Sequence, residues 1–312
     1  MGRAVFQIAD AGPHVTVQDT GRFGRLRYGV PASGPMDRMA FAIANRALGN
    51  PADTPGIEIS LGGLVLDCTE GEVSFAVVGG GFQVSVGAAR FGSWRIESLR
   101  AGQRLSIRPG PWGSWTYLVF AGQMQTRRWL GSAATHGPSD LGGGRVVTGD
   151  SLTVEAAELR MARHGKVACP VTSRPRSRIR VVLGPQDRFF SPETIAALLS
   201  KPFTLSDAYD RMGVRLSGPS LRPEAVLTMP SEAIVRGSIQ VAGDGVATVL
   251  LADHQTTGGY PKIATIISED LDGFAQLRSR ASVAFHAVTP QSAIEALRRR
   301  RVAQARFLAR LG

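Results

Sequence analysis

Four runs decide how this chain folds: IEISLGGLVLDC (57–68), EVSFAVVGGGFQVSV (72–86), RLSIRPG (104–110) and WTYLVFAG (115–122). Each is a short β-prone segment cut by glycines, the pattern of strands joined by tight turns. Many short strands with Gly-rich turns predict an antiparallel barrel or sandwich and exclude a βαβ domain. Gly142-Gly-Gly144 and Thr148-Gly-Asp150 close this half.

On the N-terminal side, 4–8 and 14–18 read as strands, followed by a polar loop holding Gly21 and Gly24. A helix comes next. Ser33 is its expected cap and Pro35 suits its first turn, while Met36, Met39, Ala40, Ile43 and Ala47 form an apolar stripe that ends at Leu48-Gly49-Asn50. On the C-terminal side, RHGKVACPVTSRPRSR (163–178) has two prolines and little apolar periodicity, and reads as a linker. Beyond it, strands are expected at 179–183, 203–206, 213–217, 233–241, 246–251 and 281–288. Two short helices are expected among them, one capped by Ser191 with Pro192 and Glu193 in its first turn, the other over 270–277. The expected organisation is a mainly β chain with domains at 1–165 and 178–290, and a basic helix or tail at 291–312.

Composition narrows the class further. At 312 residues, 43% hydrophobic and 20% charged, the chain carries enough apolar content to exclude disorder. With Gly 37 and Pro 18, roughly one residue in six opposes helix, which argues against a helical bundle. No apolar run approaches the roughly 18 residues of a membrane-spanning helix, and MGRAVFQIAD lacks the features of a signal peptide. Cys68 and Cys169 are too few for a disulfide scaffold and lack metal-site spacing, so the expected compartment is a reducing cytoplasm. Net charge is +11, with only three lysines among 36 basic residues, and the last 22 residues hold six arginines against one glutamate. Without interleaved aromatics or a helix-turn-helix, this tail reads as a solvated helix suited to an acidic partner, and nucleic acid is not an expected ligand.

Three segments concentrate polar chemistry. Asp19-Thr-Gly-Arg-Phe-Gly24 through Ser33-Gly-Pro-Met-Asp37 supplies Asp19, Arg22, Ser33 and Asp37. Guanidinium forks in such loops suit carboxylate, phosphate or carbamate ligands; equally, Asp19 and Arg22 could pair to hold the loop. Asp210-Arg-Met-Gly213 reads as an ion pair of Asp210 with Arg211. The richest segment runs from Ser231-Glu232 through Gln240 to Asp253-His-Gln-Thr-Thr-Gly-Gly-Tyr-Pro-Lys262. There Gly258 and Gly259 allow close backbone approach and could form an anion nest. A P-loop, HExxH, GxSxG and SxxK are all absent, and the five histidines show no metal spacing, so no metal is expected.

These segments also carry a resemblance. VQDTGRFGRLRYGVPASGPMDRMAFAIANRALGN (17–50), the Glu58 strand, GSAATHGPSDLGGGRVVTGD (131–150), DRMGVRL (210–216), SEAIVRGSIQVAGDG (231–245) and LLADHQTTGGYPKIATII (250–267) resemble the biotin-dependent carboxyltransferase family. That family includes the C subunits of 5-oxoprolinases, often labelled allophanate hydrolase subunit 2, and a domain of urea carboxylase. The similarity covers nearly all of 4–289 in order; the arginine-rich tail lies outside it. It implies two tandem cyclophilin-like β-barrel domains. It also implies part of a composite enzyme, in which subunits A, B and C together use ATP to open 5-oxo-L-proline to L-glutamate. ATP would then act at the level of the complex. The alternatives are a carboxyltransferase component of a urea or amide carboxylase, which would bring in biotin, and a regulatory protein bound to a kinase-inhibitor partner. Under any of these the expected anion- or substrate-binding residues are Asp19, Arg22, Ser33, Asp37, Glu58, Arg211, Glu232, Gln240, Gly258 and Gly259. Asp253, Gln255, Thr256, Tyr260 and Lys262 are expected to orient an amide or move its proton.

Overall fold

The computed structural model describes residues 2–224 and 229–312. Among the described residues the fold is mainly β with four α-helices, and the chain divides into two units. The first comprises Met1–Arg22, Ser33–Arg174 and Gln304–Gly312; the second comprises Phe23–Ala32 and Pro175–Ala303.

In the first unit the strands form two sheets around one core. One sheet orders Gln123–Met124, Ser151–Ala157, Gly2–Ala11, Leu64–Glu70, Arg104–Arg108, Gln83–Val86 and Ala89–Gly92. The other orders Gly165–Lys166, Arg95–Arg100, Glu72–Val78, Thr116–Phe120, Gly56–Ile59 and Thr16–Gln18. Gly165–Lys166, inside the expected linker, is thus an edge strand paired with Arg95 and Ile96. Phe6 of the first sheet stacks on Phe120 of the second with centroids 4.9 Å apart. Burying each such ring contributes about 1.5–3 kcal/mol. Helix α1, Arg38–Leu48, lies on the strands Glu72–Val78 and Thr116–Phe120 and buries Met39, Phe41, Ile43 and Leu48. It ends at Gly49, whose φ of 84° is the left-handed conformation a glycine adopts without Cβ strain.

The cap of α1 corrects the sequence reading. Asp37, not Ser33, sits at the N-cap, and its Oδ1 accepts from Ala40 N at 2.9 Å. Pro35 and Met36 are used in the approach to the helix, where Met36 N donates to Glu58 Oε2 at 2.7 Å. Ser33, with φ 53°, lies too far upstream to reach the first turn.

The second unit is a closed seven-strand barrel. Its strands run in the order Arg178–Leu183, Lys262–Ile266, Ser238–Val241, Ala247–Leu250, Gly213–Ser217, Phe203–Tyr209 and Ser282–Ala287. Ser282–Ala287 closes against Arg178–Leu183 in parallel; the other pairs are antiparallel. Alternation sets the interior, as in Gly213–Ser217, where Val214 and Leu216 point inward. The expected strand at 233–241 is split into Glu232–Ala233 and Ser238–Val241, with Gly237 at φ 92° turning the chain between them. Helix α2, Pro192–Ser200, is capped by Ser191 as its sequence indicates. Helix α3 spans Ser268–Ala275, starting two residues before the expected 270. Helix α4, Pro290–Ala309, has Arg300 on Asp272 at 2.8 Å and on the Glu269 carbonyl at 2.6 Å. Among the described residues no helix is long and apolar enough to cross a membrane.

Candidate functional site

The barrel strand Lys262–Ile266 begins at Lys262, opposite Gln240 on the neighbouring strand and next to a register irregularity. The side chain is 3% exposed, and its ammonium has no hydrogen-bond partner among the described residues. Its ion-pair contact, Glu232 Oε2, is 3.7 Å away, longer than a charge-assisted hydrogen bond. Gln186, fully buried, organises this pair. Its amide donates to Glu232 Oε2, its Oε1 accepts from Lys262 N at 2.9 Å, and its own N donates to Lys262 O at 3.1 Å.

Two more carboxamides join the cluster. Gln255 Nε2 donates to Gln240 Oε1 at 3.2 Å, and Gln240 Nε2 donates to Tyr260 O at 3.3 Å. The Tyr260 phenol is half exposed, so this residue contributes its carbonyl to the cluster. The Thr256 carbonyl accepts from Ile234 N at 3.0 Å, and Thr257–Gly258 pairs with Glu232–Ala233, which ties the loop to the glutamate. A Cβ at Gly258 would lie 2.6 Å from Ile234 Cδ1 and 2.9 Å from Gln240 Nε2, so a larger residue would have to push both side-chain ends aside. Neither Gly258 nor Gly259 has a left-handed φ. The anion nest foreseen for them therefore does not form, because a nest needs alternating right- and left-handed residues and Gly258 is held in a strand ladder.

Asp253 and Arg211 form a different arrangement. Arg211 Nε and Nη2 bind Asp253 Oδ2 and Oδ1, both at 2.9 Å, and both side chains are at least 95% buried. Asp253 N also donates to Arg211 O at 2.8 Å. The expected Asp210–Arg211 pair does not exist. Asp210 Oδ1 instead caps a turn, accepting from Met212 N and Gly213 N, while Arg211 reaches a carboxylate 42 residues downstream. This compensated pair suits Asp253 to scaffolding more than to proton transfer.

The first unit holds two further clusters. Asp19 accepts from Ser132 Oγ and Ala133 N, both at 2.6 Å, and from Gly21 N at 2.9 Å, with Arg128 at 3.7 Å. Arg22 turns away from Asp19 to the Ala134 carbonyl and lies 5.2 Å from the Trp129 ring centre, so the Asp19–Arg22 pair foreseen as an alternative does not form. In the second cluster, Glu58 Oε2 accepts from Tyr117 Oη at 2.8 Å and Asp37 N donates to Tyr117 Oη at 2.6 Å. Burial, reinforced by the charges of Glu58 and Asp37, pushes the Tyr117 phenol well above its ordinary value. Ser33 Oγ is buried without a hydrogen-bond partner among the described residues.

Sequence reading missed Gln186 and Tyr117. Gln186 follows the strand Arg178–Leu183 in an ordinary-looking Gly184-Pro-Gln turn, and Tyr117 sits inside an apolar run. Neither position carries a local signal, because each gains its role from a strand remote in sequence. No group of three or more metal-ligating side chains is found among the described residues.

Comparison with known proteins agrees with this architecture. Residues 28–287 match the carboxyltransferase domain family, subdomain A and B. The chain is 33% identical over 302 residues to the C subunit of 5-oxoprolinase from Haemophilus influenzae, covering 96% of each. It is 33% identical over 296 residues to the Escherichia coli protein of the same name, covering 94% of each. The crystal structure of Kluyveromyces lactis urea carboxylase superposes over 100% of this chain with a TM-score of 0.87 and 25% identity, and the chain spans 29% of that larger protein. The chain belongs to the carboxyltransferase domain family.

Proposed function

We propose that this chain is the C subunit of an ATP-dependent 5-oxoprolinase, acting with subunits A and B to open 5-oxo-L-proline to L-glutamate and inactive alone. The observation that carries this reading is its end-to-end match, at 96% of both chains, to a protein of that name. A urea amidolyase of Saccharomyces cerevisiae, by contrast, is matched over only 16% of its length.

The Lys262 cluster supports the reading chemically. A lactam presents a carbonyl oxygen beside an N–H, and an acid substrate adds a carboxylate. The buried Lys262 ammonium can donate to a carbonyl or carboxylate oxygen, and Gln255, whose Nε2 donates to Gln240, has an amide oxygen able to accept from an N–H. Glu232, linked to Lys262 through Gln186, would hold the lysine side chain in position. The same cluster does not fit a nucleotide. A triphosphate needs several cations, and here one lysine faces a glutamate. ATP would therefore act at the level of the complex. Biotin enters only under the alternative, a carboxyltransferase of a urea or amide carboxylase, which the 0.87 TM-score to urea carboxylase favours.

The test is reconstitution with the cognate subunits A and B, following ATP hydrolysis with and without 5-oxo-L-proline and glutamate release together. Glutamate formation that stops when this chain is omitted is the expected result. A stable complex without substrate-dependent turnover would overturn the proposal.

A further inference from the structure

The first unit contains a cavity of about 660 Å³ lined by none of the candidate site residues above, within the size range of small-molecule sites. Its walls come from the hairpin of Gln83–Val86 and Ala89–Gly92, the strand Arg104–Arg108, and the segments around Trp112 and Cys169. Four aromatic rings contribute: Phe82, Phe91, Trp94 and Trp112. Two of them are fixed. Phe82 is 1% exposed, and Trp94 is held by a 2.8 Å bond from Nε1 to the Gly80 carbonyl. Trp112 is seated by Gly81, where any Cβ would collide with the indole.

The charge of the lining is one-sided. Arg90, Arg108 and Arg174 take part in it, and no Asp or Glu does. Arg108 is neutralised by Asp10 at 2.8 Å, whereas Arg90 and Arg174 have no carboxylate partner among the described residues. The Arg174 guanidinium lies 5.4 Å from the Trp112 ring centre, so cation and aromatic wall are within reach of a single small molecule. Cys169 adds a soft wall: burial raises its pKa to about 11 against the pull of Arg174, so the thiol stays neutral near pH 7.

We propose that this cavity binds a compact planar aromatic anion, its ring against the Trp112 and Phe91 walls and its carboxylate on Arg90 and Arg174. Aromatic surface alone would accept any flat apolar molecule; the two uncompensated guanidinium groups add the selection for charge. The site lies within the first unit and does not depend on the 5-oxoprolinase reading.

The test is calorimetric titration of the full chain with 2-naphthoate, its neutral isostere 2-naphthamide, and the aliphatic anion decanoate. The expected result is one 2-naphthoate per chain, bound at least about tenfold more tightly than either of the others. In the double variant Arg90→Gln with Arg174→Gln, 2-naphthoate should fall to the affinity of 2-naphthamide, while 2-naphthamide is unchanged. Gly92→Trp provides an independent block. Gly92 lines the cavity and a Cβ there meets only the Phe82 carbonyl at 3.8 Å, so the backbone accepts a side chain at this position, and an indole filling the cavity should abolish binding of both aromatic ligands. Circular dichroism confirms that each variant is folded. Failure of 2-naphthoate to bind, a preference that survives loss of both arginines, or equal binding of decanoate would each overturn the proposal.

Discussion

Arg211–Asp253 and Lys262–Glu232 are both ion pairs of the second unit with a deeply buried cation, yet they are built to opposite standards. In the first, two parallel hydrogen bonds of 2.9 Å and a backbone bond satisfy both groups, and neither side chain is more than 5% exposed. In the second, the ammonium is 3% exposed, its carboxylate partner is 44% exposed and 3.7 Å away, and no hydrogen bond reaches Nζ among the described residues. A buried charge left short of partners costs free energy that a purely structural role does not recover. The difference therefore separates scaffold from site. Arg211–Asp253 holds the loop that begins the Asp253-to-Lys262 segment, and Lys262 keeps donor capacity for something that arrives from outside.

The contrast can be broken most directly at Asp253. Asp253→Ala leaves the Arg211 guanidinium buried without its carboxylate and should cost about 3–5 kcal/mol, read as a lower urea midpoint. A midpoint equal to that of the unaltered protein would show that the pair is not scaffold. Lys262→Met should do the reverse. An apolar side chain of similar length leaves the urea midpoint at or above the original, while substrate-dependent turnover of the reconstituted complex falls by roughly 100-fold or more. If Lys262→Met unfolds as readily as Asp253→Ala, the distinction between the two pairs fails.

Gln186→Ala should give an intermediate result. It removes the acceptor of Lys262 N and the donor to Glu232, for a loss of about 1–3 kcal/mol in stability together with reduced turnover. Turnover that stays intact would free Gln186 from any part in orienting the lysine. The smallest effect is expected in the first unit, where Tyr117 bridges Glu58 and Asp37. Its folded pKa lies well above the ordinary 10.0, so the unfolded chain loses this proton first as pH rises. The associated stability is complete below pH 10 and is lost above it. The thermal midpoint measured between roughly pH 9 and pH 11 should therefore fall less steeply in Tyr117→Phe than in the original protein. Parallel slopes would remove Tyr117 from the alkaline response.

How much of this can be read from the chain depends on the range of the interaction. The Gly49 helix stop and the Ser191 cap are legible because each is settled within one helical turn. The start of α1 is misread because two residues upstream of it, Ser33 and Asp37, are both good caps. Glu58, which captures Met36 N, decides between them from another strand. In the same way, sequence assigns Arg211 to adjacent Asp210, although residues side by side in a tight turn present their side chains poorly to one another. The barrel supplies Asp253 from 42 positions away.

By itself the sequence determined the mainly β fold, the presence of helices α1, α2 and α3, and the concentration of polar groups between Asp253 and Lys262. Those features follow from local propensity, side-chain periodicity and turn chemistry, all of which act over a few residues. The tertiary structure alone decided which charges are satisfied. It paired Arg211 with Asp253, inserted Gln186 between Lys262 and Glu232, and left the lysine ammonium without a hydrogen bond among the described residues. Burial and long-range pairing, which set the energy of a charge inside a protein, exist only once strands distant in sequence lie side by side.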